Sequence, residues 1–161
     1  MAKMMHKLRM ELDAVDKQLL AALQRDAHLT SEALGQKLNL SSSQAGRRRQ
    51  RLEQAGLIAG YTARLDPAQL GLNVQAFVQV QMATHDPEKV RTFAHVVAAR
   101  TEVVSAWTLT GEADYLLRVF TQDLSALNTL IHQVLLPHPA VARVQSQIVM
   151  DQFKADAPLP T

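Results

Sequence analysis

Residues 38–56 read Leu38-Asn39-Leu40-Ser41-Ser42-Ser43-Gln44-Ala45-Gly46-Arg47-Arg48-Arg49-Gln50-Arg51-Leu52-Glu53-Gln54-Ala55-Gly56. Ser41 followed three residues later by Gln44 has capping-box spacing, in which hydroxyl and side-chain amide satisfy each other's backbone N–H. The spacing predicts a helix from Ser42 to Ala55 closed by Gly56, because glycine adopts the left-handed conformation that ends helices at little cost. On that helix Ser43, Gln44, Arg47 and Arg51 share one stripe, with Arg48 beside it. Arginine donates two parallel N–H groups to a phosphate or to a guanine edge, and glutamine can pair with adenine. Ser41, Ser42 and Ser43 add hydroxyls and helix N-terminal N–H groups suited to phosphate. Most charge runs on helices are merely solvated faces. Here charge, cap and helix order coincide, so this face is the candidate nucleic-acid surface.

Toward the N-terminus the apolar pattern stays helical. Leu12, Val15, Leu19, Leu20 and Leu23 recur at three- and four-residue steps, with Asp13 and Asp16 at the positive end of that helix. Thr30 is a plausible N-cap for a second helix burying Leu34 and Leu38, and Asn39 suits a left-handed turn after it. Three helices, the last two joined by a turn of about four residues, outline a helix-turn-helix.

Past Gly60 the pattern alternates. Tyr61–Leu65 reads as a short strand, and the turn-rich Asp66 to Gly71 marks a boundary. Strands are expected at 76–82, 103–110, 115–120 and 141–150, with helices opened by Asp86-Pro87 and by Asp123. The order β-α-β-β-α-β is the ferredoxin-like arrangement, four antiparallel strands with both helices on one face. Phe77, Phe120 and either Trp107 or its neighbours point to the other face, which has the character of an assembly surface. The whole chain is therefore α+β: an N-terminal winged helix-turn-helix followed by a ferredoxin-like βαββαβ domain. The expected divisions are an extension at 1–10, a helix-turn-helix domain at 11–60, a linker strand at 61–73, the ferredoxin-like domain at 74–154 and a loose tail at 155–161.

The chain has 161 residues, 47% of them hydrophobic and 20% charged, which is ordinary for a folded globular protein. No apolar run approaches the roughly 18 residues of a membrane span. The basic start Met1–Arg9 lacks the apolar core of a secretory signal, and zero cysteines exclude a disulfide scaffold or a thiolate zinc site. A cytoplasmic protein is expected. The net charge of +2 hides an asymmetry. Residues 1–60 hold ten Lys/Arg against six acids, whereas residues 61–161 hold seven against nine. A basic first third beside a mildly acidic remainder suits an anion-binding module joined to an assembling one. Chemistry-bearing motifs are thin. No pair of the six histidines is spaced i, i+4 on an expected helix, and no Gly-x-Ser-x-Gly, P-loop or dinucleotide fingerprint is present. No catalytic residue, metal or cofactor is expected.

Leu12-Asp13-x-x-Asp16-x-x-Leu19-Leu20, Leu38-Asn39-Leu40-Ser41 and Arg47-Arg48-x-x-x-Leu52-Glu53-x-x-Gly56-x-Ile58-x-Gly60-Tyr61 resemble the DNA-binding half of the leucine-responsive regulator (Lrp/AsnC) family. Thr110-Gly111-x-x-Asp114-Tyr115-Leu116-Leu117 and Leu135-x-Pro137-x-Pro139-x-Val141 resemble that family's effector-binding RAM domain. The resemblance runs from Leu12 to Lys154 in order and spacing. It implies a transcription regulator that binds double-stranded DNA, with Ser41, Ser42, Ser43, Gln44, Arg47, Arg48 and Arg51 as contacts. It also implies a small effector, an amino acid, received by Thr110, Gly111, Glu112 and Asp114, with Ser146 on the last strand close by. Family members dimerise through the sheets of the second domain and often assemble further, commonly to octamers. The chain departs from the family pattern at Arg49, Gly46 and Gly35. Arg49 falls where an apolar residue is usual, leaving open whether it is buried or reaches DNA. Two rival functions remain on this layout. One is an architectural DNA binder without effector. The other is an enzyme, since a few relatives decarboxylate a modified tetrapyrrole; here His85, His95, His132 and His138 would have to line a cavity.

Overall fold

The computed structural model describes residues 11–161, so the extension 1–10 lies outside the described residues. The chain divides into two compact units, residues up to Arg64 together with Lys154–Thr161, and Leu65–Phe153.

The first unit is built on α1 (Ala14–Arg25), α2 (Ser31–Leu38) and α3 (Ser42–Gln54). Each helix start is fixed by its own side chains. Asp13 and Asp16 form a capping box on α1, Thr30 accepts from the Ala33 N–H on α2, and Ser41 and Gln44 form the expected box on α3. Asn39 ends α2 in the left-handed conformation at φ 55°. Leu19, Leu23, Leu34, Ala45 and Leu52 form the core between the helices, with Leu38 half-buried at its edge. Full burial of a leucine contributes roughly 1.5–3 kcal/mol, so three such side chains carry much of a unit this small. Gly35 and Gly46 are packing glycines. A Cβ on Gly35 would meet the Leu40 carbonyl oxygen at 2.7 Å, and one on Gly46 would meet the Ser31 hydroxyl at 3.0 Å.

Two expectations for this unit change. The residues 61–65 carry no strand; they are exposed chain without a ladder partner, and no hairpin follows α3 among the described residues, so the helix-turn-helix has no wing strands of its own. The tail has no regular structure, yet Lys154–Thr161 belongs with the helices. Gln24 Nε2 donates to the Leu159 carbonyl (3.1 Å) and its Oε1 accepts from the Leu159 N–H (2.6 Å). A primary amide offers one backbone residue both a donor and an acceptor, which holds an otherwise exposed segment.

The second unit runs β1 (Val74–Met82), α4 (Pro87–Ala98), β2 (Val103–Thr108), β3 (Tyr115–Thr121), α5 (Leu124–Thr129) continuing as a π-helical turn (Leu130–Leu135), and β4 (Val141–Ile148). The strands pair antiparallel in the order β2-β3-β1-β4, the ferredoxin-like sheet. Ala76, Val78, Val80 and Met82 of β1 and Leu117 and Val119 of β3 face the helices and pack with Phe93, Val97, Leu127, Leu130 and Leu135. Ala94 and Leu124 on these helices are exposed. The Leu136 N–H reaches back five residues to the Ile131 carbonyl (2.9 Å), and this wider turn brings Leu135 into the core.

Candidate functional site

α3 is held at its start by the Ser41 N–H donating to Gln44 Oε1 (2.9 Å) and the Gln44 N–H to Ser41 Oγ (3.2 Å). The cap therefore engages the oxygen of the Gln44 side chain and leaves its NH2 group to donate. Leu40, Gln44, Arg47, Arg48 and Arg51 line an open cleft of about 310 Å³ along the helix. This gathers four of the seven expected contact residues, while Ser41, Ser42 and Ser43 lie exposed at its N-terminal end.

The three arginines are not equivalent. Arg47 Nε donates to the Ser43 carbonyl one turn back (3.3 Å), and its terminal nitrogens have no partner among the described residues. Arg48 Nη1 donates to Asp13 Oδ2 (2.6 Å) and to Asp16 Oδ1 (2.8 Å). Arg51 Nη2 donates to Asp16 Oδ2 (2.5 Å). Asp16 is 1% exposed and so is a buried carboxylate bridging two arginines of the candidate surface. The Asp16 N–H and then the Arg48 guanidinium hold the Asp13 carboxyl below its ordinary value, and the two carboxylates hold Arg48 above its own. The sequence placed these aspartates only as complements to the helix dipole. Their spacing to α3 across more than thirty residues carried no local sign of the pairing.

Arg49 is placed on a different face. Its Nε donates to Glu53 (3.0 Å), its Nη1 to the Leu29 carbonyl (3.1 Å), and its guanidinium lies 4.8 Å from the centre of the Tyr61 ring. The Tyr61 hydroxyl donates to the same Glu53 oxygen (2.8 Å). Arg49 is thus half-buried in a clamp joining α3 to the chain before α2 and after α3. The Tyr61 hydroxyl first, then Arg49, holds the Glu53 carboxyl low, while burial and then Glu53 push the Tyr61 phenol up.

In the second unit, Thr110–Asp114 forms the loop from β2 to β3. Gly111 turns it at φ 123°, a conformation that favours glycine. Asp114 anchors the loop to β1: its N–H donates to the Val80 carbonyl (3.0 Å) and its Oδ2 accepts from the Met82 N–H (2.7 Å). Thr110, Gly111 and Glu112 are exposed. Glu112 and Ala113 form the lip of a recess of about 40 Å³ with Gln79 and Gln81 of β1 and Arg143 and Gln145 of β4. Ser146 is not part of it. Val141 and Val144 both face the helices because the β1–β4 register shifts between Gln81 and Met82. That bulge inverts the alternation, so Ser146, opposite Val78, lies on the helix-side face, and Arg143 and Gln145 take the place expected for it. The recess opens on the sheet face away from α4 and α5. Register puts Phe77, Leu116, Arg118 and Phe120 there, with Trp107 opposite Leu116 and 45% exposed. The Arg118 guanidinium lies 5.2 Å from the Phe120 ring centre. No group of three His, Asp or Glu residues suited to a metal occurs among the described residues.

Two family models match the chain. One is an AsnC-type helix-turn-helix domain over residues 12–53, and the other is the Lrp/AsnC ligand-binding domain over residues 75–159. The DNA-binding transcriptional activator DecR of Escherichia coli K12 is 36% identical over 149 residues, covering 92% of this chain and 98% of that protein. The Bkd operon transcriptional regulator of Pseudomonas aeruginosa is 35% identical over 140 residues, 87% of this chain and 92% of that protein. Among solved structures, a transcriptional regulator of Neisseria meningitidis in complex with L-Met superposes with a TM-score of 0.89 at 36% identity, covering 93% of this chain and 97% of that one. The family and these relatives are transcriptional regulators, not enzymes. Motifs, helix order, sheet topology and these matches agree: the chain belongs to the Lrp/AsnC family of DNA-binding transcriptional regulators.

Proposed function

We propose that α3 is the sequence-reading helix of this regulator and that the second unit couples it to an amino acid through assembly of copies of the chain. The carrying observation is the cleft on capped α3 that gathers Gln44, Arg47, Arg48 and Arg51, with the terminal nitrogens of Arg47 uncommitted. A free guanidinium edge in a major groove can donate twice to a guanine, whereas arginines already sharing a carboxylate keep fewer N–H groups and suit phosphates. Ser41, Ser42 and Ser43 would add phosphate contacts at the helix start.

The effector reading draws on the relative crystallised with L-Met. The loop offers Thr110, Gly111 and Glu112 for such a ligand, with Asp114 shaping it and Arg143 supplying the cation opposite Glu112. At about 40 Å³ the recess is far below the ~300 Å³ typical of a ligand pocket, so a second copy of the chain completes the site. Phe77, Trp107, Leu116 and Phe120 on the same face supply the apolar surface for a homodimer, which can assemble further toward a larger ring such as an octamer. No helix among the described residues is long and apolar enough to cross a membrane, and we place the protein in the cytoplasm with its DNA. An effector that prefers one assembly shifts the population and so the spacing of the reading helices.

The test is a titration of DNA selected from genomic fragments. Arg47→Ala is expected to lose about 1–3 kcal/mol of specific binding while mutated non-cognate DNA is bound almost as before. Equal specific affinity for wild type and variant would remove base reading from Arg47.

A further inference from the structure

Asp16 is the one fully buried carboxylate among the described residues, and it is spent on two arginines of the DNA-facing helix. Beyond closing the α1 capping box with the Asp13 N–H (3.3 Å), its charge is not demanded by packing. An apolar side chain of similar size in the core of a small helical unit is in general as stabilising as a buried ion pair, or more so. The geometry does something an apolar residue cannot. Arg48 makes both of its contacts through Nη1, leaving Nη2 and Nε, and Arg51 makes its contact through Nη2, leaving Nη1 and Nε. Each guanidinium is held by one end with another edge still able to donate, and at 28% and 50% exposure that edge reaches solvent. Three cations of the cleft therefore stand in front of two carboxylates, Asp13 and Asp16, which lowers the net charge of the face from +3 to +1.

We propose that Asp16, assisted by Asp13, is a specificity-determining positioning residue for DNA. It fixes the direction of Arg48 and Arg51 and weakens sequence-independent attraction to phosphate. Sequence-independent binding grows with each cation free to displace a counterion, whereas base reading depends on where donors point. Restraining two of three arginines thus lowers non-specific affinity more than specific affinity. The inference rests on the reading of α3 as the DNA-binding helix.

The experiment compares wild type, Asp16→Asn and Asp13→Asn on the selected operator and on a scrambled duplex across a range of salt. Asp16→Asn keeps the size of the side chain and removes its charge. Asp13→Asn keeps an equally good N-cap and removes one of the two carboxylates on Arg48, which stays bonded to Asp16, so it serves if Asp16→Asn fails to fold. For the folded Asp16→Asn protein, affinity for the scrambled duplex rises, and log K against log salt steepens by about 0.9, because Arg51 loses its carboxylate while Arg48 keeps Asp13. The ratio of specific to non-specific affinity falls severalfold, because each cation freed adds to sequence-independent attraction. Asp13→Asn moves the same quantities in the same direction by a smaller amount. A purely structural role would weaken both duplexes together and leave ratio and slope alone, and that result overturns the proposal. Absence of operator binding by wild type would instead overturn the DNA-binding role of α3.

Discussion

Gly35→Ala tests how the two helices of the helix-turn-helix are spaced. Alanine is favoured over glycine inside a helix by about 1 kcal/mol, so propensity alone predicts a stabilised protein. Packing opposes it. The new Cβ would lie 2.7 Å from the Leu40 carbonyl oxygen, 3.2 Å from the Ser41 carbonyl carbon and 3.3 Å from the Ser41 oxygen, against ordinary contacts of 3.4–4 Å. These atoms cannot rotate away, because the Leu40 N–H is bonded to the Gly35 carbonyl (2.9 Å) and Ser41 is the cap of α3. Overpacking of this kind costs roughly 1–3 kcal/mol, so the net loss is about 1 kcal/mol and α3 starts from a displaced cap. Gly46→Ala is the control with the opposite sign. Its only contact below 3.4 Å is the Ser31 hydroxyl at 3.0 Å, which turns about its own bond, so the variant gains up to about 1 kcal/mol. Native-state hydrogen exchange at the Leu34 and Leu52 amides reads both effects, with Trp107 fluorescence in urea as the reference for the other unit. A Gly35→Ala protein as stable as wild type, or a Gly46→Ala protein destabilised equally, refutes this account of the packing.

Other predictions follow from the clamps and the loop. Asp114→Ala leaves the Met82 N–H without its carboxylate and lowers the stability of the second unit by about 1–3 kcal/mol in urea unfolding, while operator affinity without effector is unchanged. If the loop positions the effector, the same variant also loses the effect of an amino acid on DNA binding. The Tyr61 phenol, raised above 10.0 by burial and then by Glu53, stabilises the fold below that value, and its contribution is lost as pH rises through the raised value. Ultraviolet titration of Tyr61 in a Tyr115→Phe background should show this, and Glu53→Gln should bring the midpoint down. The Glu53 and Asp13 carboxyls, both held low, contribute stability above their ordinary 4.5 and 3.8 that is lost as pH falls through their lowered values. An acid unfolding curve shared by wild type and the Glu53→Gln, Asp13→Asn double variant contradicts those pairings.

What could be read in the sequence was local. Caps at Thr30, Ser41, Asp86 and Asp123 act over three residues, and all four stand at helix starts, whereas the capping role of Asp13 shows only in the structure. The strands of β1 and β3 show their alternation because one face is fully covered. β4 is an edge strand with polar residues on both faces, so a single bulge beside Val141 reverses the phase without any trace in composition, and Ser146 falls on the wrong side. Residues 61–65 have a strand-like pattern, but a strand is defined by its neighbour and these residues have none among the described residues. Arg48 and Arg51 were legible as charges, and Asp16 as a carboxylate at a helix start. That one neutralises the others depends on how α1 crosses α3, a tertiary fact that no spacing along the chain encodes.

The central claim is a helix-turn-helix whose hold on DNA answers to an amino acid. Fluorescence anisotropy of the selected operator, with each of the twenty amino acids added in turn, tests it most directly. The account predicts that at least one amino acid shifts the midpoint of operator binding severalfold, and that Arg47→Ala weakens the complex with or without it. Tight operator binding that no amino acid alters would contradict it and leave an architectural DNA-binding protein.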